Sequence, residues 1–192
     1  MKPLPAFSLG SIRFLELQAG VTSMHTVLSA TNNLLKIVLT SHADCEEWTT
    51  CLDSIAQNSS STLQFATLKT YDILDFQSCL SPLLSVRGLR ALHIENFSRS
   101  SLAVFDSDIA AIVNSWPSLQ EFVLPTYQFN TGNLTDKSLK LLARLPKLRV
   151  LRVVINDEIV VLPQDLRFLT NPPAEYLDTL TSFASAAAYL QT

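Results

Sequence analysis

Apolar residues recur along this chain in a short phrase, Leu-x-x-Leu-x-Leu, that returns six times. Ile12/Leu15/Leu17 comes first. Leu34/Ile37/Leu39, Leu63/Ala66/Leu68, Leu89/Leu92/Ile94, Leu119/Phe122/Leu124 and Leu148/Leu151/Val153 follow. Successive first positions lie 22, 29, 26, 30 and 29 residues apart, and Leu177/Leu180/Ser182, another 29 on, reads as a decayed partial copy. Inside each phrase the two-residue alternation predicts a strand with one buried face. Between phrases the period lengthens to that of a helix. Cys45, Trp48, Leu52 and Ile55 share one face of a helix over about 43–58. Ile109, Ile112, Val113 and Trp116 mark a second, opened by the capping signal Asp106-Ser107-Asp108. Leu139, Leu142 and Leu145 mark a third, with Thr135 as its N-cap. Weaker helical patterns cover 23–30 and 72–84.

A unit of one strand and one helix cannot bury its apolar face alone, so stacked copies must share a continuous core. The pattern therefore identifies 1–192 as a single α/β domain, a leucine-rich repeat solenoid with repeats starting near 12, 34, 63, 89, 119 and 148 and a partial one near 177. The expected form is a right-handed curved stack, with parallel strands on the concave face and helices on the convex face. Pro117 and Pro146 each stand two residues before a strand's first leucine, where proline ends a helix without removing a strand hydrogen bond.

Strand alternation turns the third, fifth and seventh positions of each repeat outward. The fifth positions, Val38, Thr67, His93, Val123 and Arg152, are expected to form one row across the concave face. With Phe65 beside it, that row is the candidate protein-binding surface, because its mixture of apolar and charged groups suits a protein or peptide ligand. Tyr71, Phe97 and Tyr127 occupy the ninth position of repeats three to five and are expected to stack as a ladder buried in the turns. Many such repeats place Asn there; here the sixth does, with Asn156.

Composition narrows the picture. The chain has 192 residues, 47% apolar and 16% charged, with a formal net charge of −3, so it is expected to fold and offers no electrostatic case for nucleic acid or an anionic membrane. No apolar run approaches membrane-spanning length. The N-terminus lacks the continuous apolar stretch of a secretory signal. Cys45, Cys51 and Cys79 form no Cys-x-x-Cys pair and are read as free buried thiols, which with the missing signal points to an intracellular, cytoplasmic or nuclear, protein.

The search for chemistry yields little. His42 and Cys45 are close enough for a Cys–His pair, but Cys45 lies on the apolar helix face. Asp44, Glu46 and Glu47 read as complement to a helix dipole, and Asn156-Asp157-Glu158 as a polar turn. No nucleophile, base and oxyanion donor converge. No catalytic residue, cofactor or metal site is assigned.

Residues 105–122 and 134–151 share a "helix, aromatic or Leu, Pro, x, Leu, x, x, Leu" phrase and resemble repeats of fungal F-box/leucine-rich-repeat proteins, with the likeness extending over roughly 10–160. In that family an N-terminal F-box binds a Skp1-type adaptor of a ubiquitin ligase and the repeats select the substrate. The resemblance implies a substrate-recognition half; the adaptor is a partner only if an F-box precedes Met1. The chain is accordingly expected to be one piece of a longer solenoid, missing N-terminal sequence. Two alternatives stand beside this one: a plain assembly scaffold without a ubiquitin link, and an activator of a small GTPase resembling that of Ran. The latter is disfavoured by the missing ninth-position Asn and acidic tail.

Overall fold

The computed structural model describes residues 11–71, 75–97, 102–124, 134–155 and 158–162. Pro125, Tyr127, Asn156 and the triplet at 177 lie outside the described residues. Six strands, β1 (Phe14–Gln18), β2 (Lys36–Ser41), β3 (Phe65–Thr70), β4 (Ala91–Asn96), β5 (Glu121–Val123) and β6 (Val150–Ile155), pair in chain order and in parallel. They coincide with the six apolar phrases. A seventh, β7 (Glu158–Leu162), was not expected. It runs antiparallel to β6, with Ile155 opposite Glu158, and ends the parallel series among the described residues.

The register aligns the second phrase positions Leu15, Ile37, Ala66, Leu92, Phe122 and Leu151 in one column and Leu17, Leu39, Leu68 and Ile94 in the next. Leu124 extends that second column: its N–H donates to the Arg152 carbonyl at 2.8 Å, beside Val153. All of these except Leu15 and Leu17, half-buried on the first strand, are buried in one core. Burial of a leucine side chain is worth roughly 1.5–3 kcal/mol, so the repeated columns supply the main stabilising force.

Helices α1 (Val21–Ala30), α2 (Cys45–Ser59), α3 (Asp106–Ser115) and α4 (Asp136–Leu142) cover the inner face of this sheet. Trp48, Leu52 and Ile55 of α2 and Ile109 and Ile112 of α3 are the buried positions that the helical period requires. Asp44 caps α2, accepting from Glu47 N at 2.9 Å while the Glu47 carboxylate accepts from Asp44 N at 3.1 Å. Thr135 caps α4 through Lys137 N at 3.2 Å. At α3 the cap residue is Phe105 instead of the expected acidic run, and its N–H donates to the Asp108 carboxylate at 2.8 Å. The helix expected over 72–84 is a π-helical turn, Phe76–Leu80, passing into a 3₁₀ turn, Ser81–Ser85. Pro82 has no N–H to extend an α-helical ladder through this stretch.

Side chains close the backbone gaps between units. Ser59 Oγ accepts from Leu34 N at 3.2 Å, Thr62 Oγ1 donates to the Leu34 carbonyl at 2.9 Å, and Ser41 Oγ donates to the Ala19 carbonyl at 3.0 Å. Buried backbone groups left unpaired would cost about 1–3 kcal/mol each, so these hydroxyls explain the polar residues found inside.

The cysteines depart from expectation. Cys45 and Cys79 are joined in a disulfide, with Cα atoms 5.0 Å apart, and only Cys51 is free and buried. Position 45 is the first residue of α2, while position 79 faces it from the π-helical turn of the next unit. A separation of 34 residues in sequence concealed this proximity. The bridge also removes free thiols as a reason to assign a reducing compartment.

Candidate protein-binding face

The fifth-position row forms as expected. Register places Glu16, Val38, Thr67, His93, Val123 and Arg152 side by side across six strands. Phe14, Lys36, Phe65, Ala91, Glu121 and Val150 form the adjacent row. Because the inward columns fill the core, these rows take the face away from the helices.

Access along the row is uneven. Phe65, Thr67, His93, Val123 and Arg152 are half-buried, whereas Val38, expected to contribute to the binding surface, is 9% exposed. Its short branched side chain sits in register between Glu16 and Thr67, with Lys36 and Thr40 on its own strand facing the same way. Val38 is thus floor, not contact surface. Ala91 is likewise buried, next to Phe65. Phe14 is the most accessible large apolar group in these two rows, 52% exposed, with Lys36 Nζ 5.4 Å from its ring centroid. Alternation identified Phe14 as outward; among the described residues its strand pairs with β2 alone.

Charge is concentrated around Glu121. One carboxylate oxygen lies 3.1 Å from His93 Nε2 and the other 3.5 Å from an Arg149 guanidinium nitrogen. Lys69 and Glu95 pair at 3.5 Å on neighbouring strands. Each exposed pair contributes at most about 1 kcal/mol to stability. Their consequence is a polar strip across β3 to β6 in which two carboxylates, Glu95 and Glu121, lie between Lys69 and Arg149.

The aromatic ladder is present but differs from expectation. Tyr71 and Phe97 lie with ring centroids 5.1 Å apart, and His42, ninth residue of the second repeat, stacks on Tyr71 at 4.0 Å. Instead of being buried in the turns, His42 is exposed and Phe97 is 54% exposed. Strand spacing of about 4.8 Å sets the rings at stacking distance. The rings pack against one another where the strands end. His42 therefore serves the ladder and forms no pair with Cys45, which is bridged elsewhere.

Perturbed ionisable groups sit among the helices instead of on this face. Burial pushes the Cys51 thiol up to about 11, with the Glu47 charge adding to the effect. Burial also raises Asp108, opposed by the Phe105 N–H and reinforced by Asp75. Burial would raise Asp106 too, but hydrogen bonds from Ser138 and from the Thr135 N–H and hydroxyl, with the Lys137 charge, hold it below its ordinary range. Among the described residues no group of three His, Cys, Asp or Glu could hold a metal ion. No described helix is long and apolar enough to cross a membrane. No family model, curated protein or solved structure matches this chain.

Proposed function

We propose that the chain is a leucine-rich repeat solenoid acting as a non-catalytic protein-interaction module, with a protein or peptide ligand lying along the outward row of the sheet. The observation that carries this reading is the in-register row Thr67, His93, Val123 and Arg152 beside Phe65, on six parallel strands that follow chain order. An open sheet of this kind offers apolar contact from Phe14 and Phe65 and orienting polar groups around Glu121. Substrate recognition for a ubiquitin ligase is the specific role implied by the likeness of 105–122 and 134–151 to F-box/leucine-rich-repeat proteins; an adaptor of the Skp1 type would then be recruited by another segment.

Selection of a displayed peptide library on the folded protein supplies the ligand for a test. Arg152→Glu and Phe65→Ser should each weaken the selected peptide about tenfold or more, as expected of anchors at an interface centre, while leaving the melting curve in place. Asp53→Lys, on the exposed side of α2, should change nothing. Unaltered binding in the two sheet variants with loss in the helix variant would move the site to the other face.

A further inference from the structure

We infer that the Cys45–Cys79 bridge is a site of reversible, regiospecific thiol–disulfide exchange, in which a low-molecular-weight thiol attacks Cys45 and cationic aminothiols react ahead of anionic ones. Three observations converge on it. The two sulfurs differ in access: Cys79 is 0% exposed inside the π-helical turn, whereas Cys45, first residue of α2, is only partly buried. The Cys45 side of the bridge is therefore the more open to an incoming thiolate. The leaving sulfur is prepared, since the Asp75 N–H donates to Cys79 Sγ at 3.4 Å and stabilises negative charge as it develops. The approach is charged: the N-cap Asp44 and the first-turn residues Glu46 and Glu47 flank Cys45 along the chain, and all three are exposed.

The step balances without an external oxidant. The attacking thiolate sulfur bonds to Cys45 Sγ, the Cys45–Cys79 bond breaks, and the electron pair leaves with Cys79, which takes a proton. The product is a mixed disulfide at Cys45 and a thiol at Cys79. Cys79 can attack back and restore the bridge, or a second thiol can attack the mixed disulfide, releasing Cys45 and a small-molecule disulfide. In the bridged structure Thr49 Oγ1 donates to the Ser78 carbonyl at 2.8 Å across the same joint, a contact that does not depend on the bridge and would keep Cys79 within reach of Cys45. Cys51 takes no part, because burial and Glu47 keep it a thiol.

The full chain with its bridge intact is treated with reduced glutathione or with cysteamine, quenched in acid, alkylated after denaturation, digested and mapped by mass spectrometry. Adducts are expected on Cys45, with Cys79 and Cys51 recovered as alkylated thiols. Cysteamine should react some 3- to 10-fold faster than glutathione, after correction for thiolate fraction, and the ratio should approach one at ~1 M salt, where charges are screened beyond about 3 Å. Cys51→Ser should behave identically, and Glu46→Gln should narrow the ratio. Adducts on Cys79 or Cys51, or recovery of Cys45 and Cys79 as free thiols before any reductant is added, would overturn the proposal. So would an exchange rate that rises with urea as steeply as global unfolding, or a glutathione rate equal to or above that of cysteamine at low salt.

Discussion

Two joints between neighbouring units solve the same problem with different chemistry. At the first, Cys45, the opening residue of α2, is bonded to Cys79 in the following unit. At the second, Asp106, the opening residue of α3, accepts hydrogen bonds from Thr135 N at 2.9 Å, from Thr135 Oγ1 at 2.7 Å and from Ser138 Oγ at the start of α4. Both tie the first turn of one helical segment to the first turn of the next. The covalent joint is insensitive to acid and open to thiols. The hydrogen-bonded joint is indifferent to thiols and depends on the charge of one carboxylate. Position in the fold therefore fixes where a tie is needed, while side-chain chemistry fixes what can undo it.

The buried tryptophans repeat the contrast. Trp116 Nε1 donates to the Leu83 carbonyl at 3.2 Å, linking α3 to the preceding unit, whereas Trp48 Nε1 has no partner among the described residues. The first indole is part of the connection between units, and the second is packing alone.

The strongest challenge to the comparison is a change in the core that both joints rest on. Leu124→Asp places a carboxylate at a position 5% exposed and should cost ~3–5 kcal/mol, seen as loss of the cooperative urea transition near room temperature. A variant melting like the parent would show that the column through Leu68, Ile94 and Leu124 does not bear the load assigned to it.

Next in size is loss of the bridge. Cys45→Ser, or reduction, releases a closed loop with a separation of 34 residues and should lower stability by about 3–4 kcal/mol on the chain-entropy account. Urea curves with and without reductant measure it, and the parent and Cys45→Ser should coincide once reductant is present. A persisting gap between them would mean that the serine itself, not the lost bond, causes the effect.

Asp106→Ala should cost roughly 2 kcal/mol, since it strands the Thr135 N–H and two hydroxyls that are not fully solvated. Adding a reductant should lower this variant's stability by the same increment as it does the parent's, because separate joints contribute additively. Strong coupling between the two perturbations would erase the distinction drawn between them.

Acid acts with opposite sign on two carboxylates of α3, one in the hydrogen-bonded joint and one in the helix cap. Asp106 is held below its ordinary range in the folded chain, so its contribution is complete above the unfolded carboxylate value and is lost as pH falls through the folded one. Asp108 is raised by burial, so its penalty exists above its folded value and is relieved as pH falls through it. Asp106→Asn should therefore flatten the acid limb of stability. Asp108→Asn, which keeps an acceptor for Phe105 N, should steepen that limb and stabilise the chain slightly at neutral pH. Calorimetric melts from pH 3 to 7 provide the test. The smallest effect is expected at Trp48→Phe, which removes an N–H without a partner among the described residues along with some packing and should shift stability by under about 1.5 kcal/mol; Trp116→Phe should cost more, because it removes the hydrogen bond that joins this indole to the Leu83 carbonyl, which then keeps the Val86 N–H.

Much of this was legible along the chain because it depends on periodicity. Six strands, the inward columns, the outward row through Val38, Thr67, His93, Val123 and Arg152, and helices near α1, α2, α3 and α4 all follow from where apolar residues fall, and a parallel register repeats whatever one unit specifies. Capping at Thr135 was likewise local, since donor and acceptor lie within three residues, while Asp44, read as a partner of the helix dipole, is the cap of α2. Tertiary structure alone decided the rest. Whether Val38 is reachable depends on the lengths of side chains on neighbouring strands, and whether Phe97 is covered depends on what lies beyond the sheet edge. The pairing of Cys45 with Cys79 and the hold of Asp106 on Ser138 join residues about thirty apart in sequence that no period relates. These features depend on distances between units, and distance between units is set only when the units have packed.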